Sequence, residues 1–316
     1  MVFGCKSVPF DPEKDIPPLN GKVILVTGGN IGLGKQCVLE YARHQPALIW
    51  LAARNVDKAQ AAVDEIRQQV PNTPPIKVLS MDLSSLDSVV QAARTVITES
   101  DCLDILMLNA GVMAAPPGLT QNGYELQFGT NYLGHALLVK LLLPLLERTV
   151  GSDRDTSGPP QDVRIVAVSS HALIYAPKEG MLFDLLRKPA DDLGAFGRYG
   201  QSKLAMVLWT RHLARKYPQF TCVSIHPGIV RTNLVNNATG SPPVVRLLGK
   251  VARWGFTSVD QGAHNQLWAS VSKDVQSGEY YEPVGIAGAV SPLGEDDALA
   301  QKIWDWTEKE LERYVV

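Results

Sequence analysis

Paired cysteines are missing from this sequence. Cys5, Cys37, Cys102 and Cys222 are its four cysteines and lie far apart, so no zinc ligand spacing and no disulfide framework can be drawn. Free thiols suit a reducing compartment, and a cytoplasmic location is the expectation. His135, His171 and His226 are likewise unlinked by any metal-ligand spacing, so no metal is expected. Charge of one sign is also scarce. The formal net charge is -2, no basic tract occurs, and nucleic acid is not an expected partner. No apolar run reaches membrane-spanning length. Leu137 to Leu146 comes nearest, and Lys140 and Pro144 interrupt it. A polar, proline-bearing stretch (Asp11, Pro12, Pro17, Pro18) follows the first residues, which fits neither a secretory signal nor an anchor. Repeats and low-complexity tracts are absent.

What is present suits a single large domain. The chain has 316 residues, of which 45% are hydrophobic and 20% charged, enough to bury a sizeable core. Residues 1 to 20 read as an arm laid over the surface. Beyond them short apolar runs alternate with helical patterns: strands at Val23–Val26, Ala47–Ala53, Ile76–Met81, Leu103–Leu108, Val163–Val168 and Thr221–Ile225, and helices between them, including Leu126–Leu146 and Tyr199–Lys216. Residues 151 to 162 read as a surface loop. The alternation predicts one doubly wound parallel α/β sheet over 1 to 316, with helices on both faces. In such sheets ligands bind outside the carboxyl ends of the strands, and the unusual residue groups of this chain all fall at those ends.

The first strand stops at Thr27-Gly28-Gly29-Asn30-Ile31-Gly32-Leu33-Gly34, after which a helical pattern begins. Strand, glycine turn and helix place backbone N–H groups and a helix N-terminus beneath a phosphate. Glycines are needed there because a Cβ would forbid the turn or hold a pyrophosphate away. A tight turn without ligand is the plainer alternative. At the end of the second strand an acidic residue would bind ribose hydroxyls, but Ala53 and Arg54 stand there, and Lys35 follows the glycine turn. Two cations suit a 2′-phosphate, hence NADP rather than NAD, unless both are simply solvated.

Tyr199 and Lys203 lie at i and i+4 and share one helix face. A free tyrosine, with pKa about 10, is a poor acid–base catalyst at neutral pH. A cation about 4 Å away stabilises phenolate by at most about 4 kcal/mol at an effective dielectric of about 20. That lowers the phenol pKa by up to about 3, toward the working range. Ser170 ends the fifth strand and either orients a substrate carbonyl toward Tyr199 or caps the next turn. Asn131 inside a helix either sits solvated or disturbs the ladder and places a carbonyl where water can use it.

Taken together, the Thr27–Gly34 turn, Asn109-Ala110-Gly111, Asn131, Ser170, Tyr199-x-x-x-Lys203 and Pro227-Gly228-Ile229-Val230-Arg231-Thr232 occur in the order of the short-chain dehydrogenase/reductase family, and the chain resembles it from Asn20 to Gly285. The stretch Phe128–His135 further resembles its retinol-dehydrogenase-like and WW-domain-oxidoreductase-like branch, though no WW module or membrane anchor is read here. The resemblance implies a Rossmann fold and a site in which Tyr199 exchanges the proton. Lys203 would lower its pKa and hold the nicotinamide ribose, Ser170 position the carbonyl, and the Asn131 backbone hold a water in a proton relay. It further implies cofactor contacts from Thr27, Gly28, Asn30, Ile31, Gly32, Gly34, Lys35, Asp82, Leu83, Asn109, Ala110, Gly111, Pro227, Gly228, Val230 and Thr232, beside Tyr199, Lys203 and Arg54.

The expected activity is NADPH-dependent reduction of a ketone or aldehyde on a fairly bulky apolar small molecule, with Tyr199 as acid. Alcohol oxidation by NAD(P), as on a retinol- or steroid-like substrate, is the alternative, and a cofactor-binding regulatory protein without turnover a third reading. Two segments suggest the substrate's bulk. Residues 171 to 198 read either as a mobile apolar flap with Gly180 and Gly194 as hinges or as a packed insertion. Residues 233 to 256 read as a second amphipathic lid. The leucines of 137 to 146 suit either a homodimer seam or the sheet-facing side of one helix.

Overall fold

Val23–Thr27 forms β1, in which every residue is buried. Val23 and Leu25 face one apolar cluster, and Ile24 and Val26 the other, as the period of two requires. In the computed structural model, which describes residues 7–152, 162–230, 239–240, 256–288 and 290–315, β1 is an interior strand of an eight-stranded sheet of order β3-β2-β1-β4-β5-β6-β7-β8. Here β2 is Leu48–Ala53, β3 Ile76–Ser80, β4 Ile105–Leu108, β5 Arg164–Val168, β6 Thr221–Ile225, β7 Tyr280–Glu282 and β8 Ile286–Ala287. All pairs are parallel except β7 with β8. The doubly wound sheet is therefore observed. Its order reverses between β1 and β4, and a crevice opens at such a switch point.

Helices cover both faces. Against one cluster pack α2 (Gly32–Arg43) and α3 (Val56–Gln69), and with them Ala263, Leu267 and Trp268 of α8 (Val259–Val271). Against the other pack α4 (Leu86–Glu99), α6 (Gly134–Val150), α7 (Gly194–Lys216) and α9 (Asp297–Glu310). The arm carries the short α1 (Pro12–Asp15) and is fixed by buried Ile16 and Leu19 and by the Val8 N–H, which donates to the Val284 carbonyl at 2.9 Å. Among the described residues no helix is long and apolar enough to cross a membrane.

Element ends moved for local reasons. β4 begins at Ile105 because the Asp104 carboxylate accepts the Val23 N–H at 2.9 Å, and the Leu103 N–H donates to the Thr149 hydroxyl at 2.8 Å. The helix expected over Leu126–Leu146 is α5 (Leu126–Phe128), a π turn (Gly129–Leu133) and α6. Leu137, Leu138, Leu141, Leu142, Leu145 and Leu146 are all buried inside this one chain, so the leucine row is core. β7 and β8, which periodicity did not reveal, are too short to show one.

Candidate active site

Every functional group expected from the sequence and described in the structure stands at the carboxyl edge of the sheet. After β1, Gly28 has φ +65° and Gly32 φ +56°, backbone that favours glycine. A Cβ on Gly34 would run into the Gly28 carbonyl and the Asn109 amide. The N-cap of α2 is Ile31, which has no side-chain oxygen to satisfy the first helical amides. Those amides and the glycine-lined cradle fit the phosphates of a dinucleotide, with Asn30, Ile31 and Gly32 at its lip.

Thr27 has a different place. Its hydroxyl is fully buried and accepts the N–H groups of Asn109 and Ala110, both at 2.9 Å. It therefore stitches β1 to the turn after β4 rather than facing the cradle. The Asn109 amide donates to the Thr27 carbonyl at 2.8 Å and accepts from Gln266 at 3.0 Å. Asp82 is held by Ser84, whose hydroxyl donates to its carboxylate at 2.7 Å, and Leu83 packs beneath Gly134. Lys35 forms an ion pair with Glu65, while Arg54 at the end of β2 is exposed and makes no ion pair among the described residues. Of the two cations expected to meet a 2′-phosphate, one is thus shared with a carboxylate. Gly228 has φ +87°, and Val230 is buried against Gly262 and bridges to Thr257. Pro227 and Gly228 follow β6 at the same edge; Thr232 lies outside the described residues.

Asn131 sits in the π turn, fully buried. Its side-chain amide donates to the Val112 carbonyl and the Ser202 hydroxyl, both at 2.9 Å, and its oxygen accepts the Val112 N–H at 2.7 Å. Both amide hydrogens are spent and one acceptor site of the oxygen is used, which fixes the side chain beside its own backbone carbonyl. That carbonyl lies 2.8 Å from Nδ1 of His135, whose Nε2 lies 2.9 Å from the Thr27 hydroxyl. Because that hydroxyl already accepts two N–H groups, its own proton goes to Nε2, and Nδ1 carries the hydrogen donated to Asn131. Burial holds the His135 pKa down at about 4, in keeping with a neutral ring. His135 links the dinucleotide turn to Asn131 and was missed in the sequence; its i+4 spacing from Asn131 was the available signal.

Tyr199 and Ser170 meet through a hydrogen bond that favours the ionised phenol, yet burial dominates and raises the Tyr199 pKa to about 12. Burial therefore outweighs the lowering expected from a neighbouring lysine. The Lys203 ammonium lies 5.7 Å from the centre of the Tyr199 ring and donates to the Val168 carbonyl at 2.8 Å, and its own pKa is brought down to about 8 by burial. Its Nζ also lies beside Gly111, near the Asn131 side chain. Ser169, the neighbour of Ser170, is buried and donates to the Lys203 carbonyl at 2.8 Å, so only Ser170 reaches Tyr199. At neutral pH the phenol keeps its proton and can donate it.

The segment 171 to 198 packs partly against the rest of the chain. It forms three 3-10 turns, Leu173, Met181, Leu186 and Ala190 are buried, and the Leu182 N–H donates to Gln201 at 2.8 Å. Buried Arg198 donates to the Ala115 carbonyl at 2.9 Å and pairs with Glu125 at 3.4 Å. Ile174 and Tyr175 are left exposed beyond Ser170. Most of 233 to 256 lies outside the described residues.

Comparison with known proteins places these features. Residues 22–179 match the family model described as short chain dehydrogenase. An uncharacterised oxidoreductase of Schizosaccharomyces pombe is 39% identical over 94% of this chain and 87% of its own length. Human retinol dehydrogenase 13 is 34% identical over 93% of this chain and 85% of its own. Among solved structures, an uncharacterised protein of Mycobacterium paratuberculosis superposes with a TM-score of 0.69 at 28% identity, covering 94% and 96% of the two chains.

Proposed function

The chain belongs to the short-chain dehydrogenase/reductase family, in its retinol-dehydrogenase-like branch, and from that premise we propose that it reduces a ketone or aldehyde on a bulky apolar small molecule at the expense of NADPH. Membership makes it an oxidoreductase that uses a nicotinamide cofactor and acts on small molecules. The observation that carries the finer reading is the buried Tyr199 phenol, protonated well above neutral pH and hydrogen-bonded to Ser170.

The glycine cradle and the uncapped start of α2 would hold the cofactor's phosphates, with Asp82 and Leu83 toward its adenine. Asn109, Ala110 and Gly111 would support it from below, and Pro227, Gly228, Val230 and Thr232 would touch its carboxamide end. When bound, the nicotinamide supplies a hydride. Ser170 donates a hydrogen bond to the substrate carbonyl oxygen and aims it at Tyr199. As negative charge develops on that oxygen, the Tyr199 hydroxyl gives up its proton, and the nearby Lys203 cation stabilises the phenolate left behind. Arg54, with Lys35 released from Glu65, provides fork-shaped and point-charge donors for a 2′-phosphate. Exposed Ile174, Tyr175 and Ile229 at the rim support an apolar substrate.

Alcohol oxidation uses the same groups in reverse, and the similarity to retinol dehydrogenase 13 favours it as a second reading. The test is Tyr199→Phe, assayed with NADPH and a panel of ketones and titrated with NADPH and NADH by fluorescence. The variant should bind NADPH as the wild type does and lose turnover by about 100-fold or more. Unchanged turnover would remove Tyr199 as the acid, and NADH bound more tightly than NADPH would reverse the cofactor assignment.

A further inference from the structure

Glu282 closes β7, which lies parallel to β6 with Ser224 opposite Tyr280 and Ile225 opposite Tyr281. Its side chain therefore leaves the sheet at the edge where β5 delivers Ser170 and β6 delivers His226. Two groups hold one of its oxygens. The Tyr280 hydroxyl donates to Oε1 at 3.0 Å, and Nδ1 of His171, the residue next to Ser170, lies 3.1 Å from the same atom. The other oxygen, Oε2, has no hydrogen-bond partner among the described residues, and the side chain is 19% exposed. Behind the pair lies His226. Its ring stands 6.1 Å from that of His171, it is 8% exposed, and its Nδ1 has no hydrogen-bond partner. Lys203 and Glu282 both act electrostatically on the His226 ring, so this polar cluster adjoins the Tyr199–Lys203 pair.

A carboxylate has acceptor sites on both oxygens and no proton to give. Fixing one oxygen with two neighbours sets the direction of the other in advance, which is how a site recognises a hydrogen-bond donor without ordering cost on binding. The Lys203 charge, which acts on the same His226 ring, opposes a second cation there. An acidic group would meet the carboxylate itself. Among neutral donors, a hydroxyl is the one that suits an otherwise apolar ketone or aldehyde.

We infer that the pair His171–Glu282 forms a specificity subsite beside Ser170, where Oε2 of Glu282 accepts a hydrogen bond from a hydroxyl group borne by the substrate at a distance from its reacting carbonyl. The preferred substrate is then a hydroxylated ketone or aldehyde, apolar elsewhere. This rests on the carbonyl-reductase reading and adds to it which substrates are selected.

The experiment compares α-tetralone with its hydroxy and methoxy derivatives, substituted in turn around the aromatic ring, as substrates with NADPH. A methoxy group fills similar space and accepts but does not donate. A hydrogen bond to a charged acceptor predicts a ratio of kcat/KM, hydroxy over methoxy, of about 10 to 100 at the best-placed ring position. Glu282→Leu should bring that ratio to about one, and Glu282→Gln, which keeps an acceptor without the charge, should leave it in between. NADPH titration and thermal midpoints check that each variant retains its fold and cofactor site. If Glu282→Leu does not fold, Glu282→Gln decides, and its ratio must fall several-fold. A wild-type ratio of about one at every position, or a ratio unchanged in the variants, overturns the inference. Reduction of none of these ketones by the wild type would instead overturn the carbonyl-reductase reading, and the subsite would fall with it.

Discussion

His135 shows how one residue joins two halves of the site. Its neutral ring accepts from the Thr27 hydroxyl and donates to the Asn131 carbonyl, so protonation would break the first contact. An unfolded histidine has a pKa of about 6.5, whereas burial holds this one at about 4 in the folded chain. Between those values the unfolded state binds more protons. Stability is then fully present above about 6.5 and is lost as pH falls toward 4, at about 1.4 kcal/mol per pH unit. His135→Gln has no such proton to bind. Urea unfolding at pH 7 and pH 5 should show the wild type losing about 2 kcal/mol more than the variant across that interval. Equal losses would mean that the ring is not held neutral.

The corner between α2 and α3 shows what an element adds to a residue. Lys35 and Glu65 pair across these two helices, with side chains 26% and 58% exposed, and a pair so exposed contributes at most about 1 kcal/mol. Yet it competes with a 2′-phosphate for the same ammonium. Glu65→Gln should therefore tighten NADPH by up to about five-fold and leave NADH unchanged, as read by fluorescence titration. Equal gains for both cofactors would place Lys35 away from the 2′-phosphate. The π turn at Gly129–Leu133 is the other instance. The Asn131 amide, bonded to Val112 on both its oxygen and its nitrogen, anchors the widened turn to the segment after β4, so an asparagine inside a helix marked a break in the helical ladder.

Across the whole molecule, the leucines of α6 lie under α4 and against the sheet within one chain. Leu142→Ala should cost about 2 to 5 kcal/mol, measured by denaturant unfolding, and the cost should not depend on protein concentration. A loss that shrinks as concentration rises would return the leucine row to a subunit seam. The packing of the 171–198 segment belongs to this scale too. Its burial comes from partners remote in sequence, such as Trp306 against Phe183 and the Leu186 carbonyl accepting the Glu125 N–H. No local pattern distinguishes a packed insertion from a flap.

The sequence by itself determined the parallel α/β sheet, because a strand buried on both faces is written as a continuous apolar run, and the Gly28–Gly34 turn, because only glycine permits that backbone. It also brought Tyr199 and Lys203 onto one face through the helical repeat. Tertiary structure alone decided the rest. Burial set the direction of the Tyr199 pKa against the pull expected from Lys203, because desolvation depends on everything packed around a group and not on its neighbour in the helix. Glu65 claimed Lys35 across thirty positions of chain. His171 and Glu282, more than a hundred residues apart, met only because β5, β6 and β7 end at one edge, and contacts between strand ends leave no period in the sequence to read.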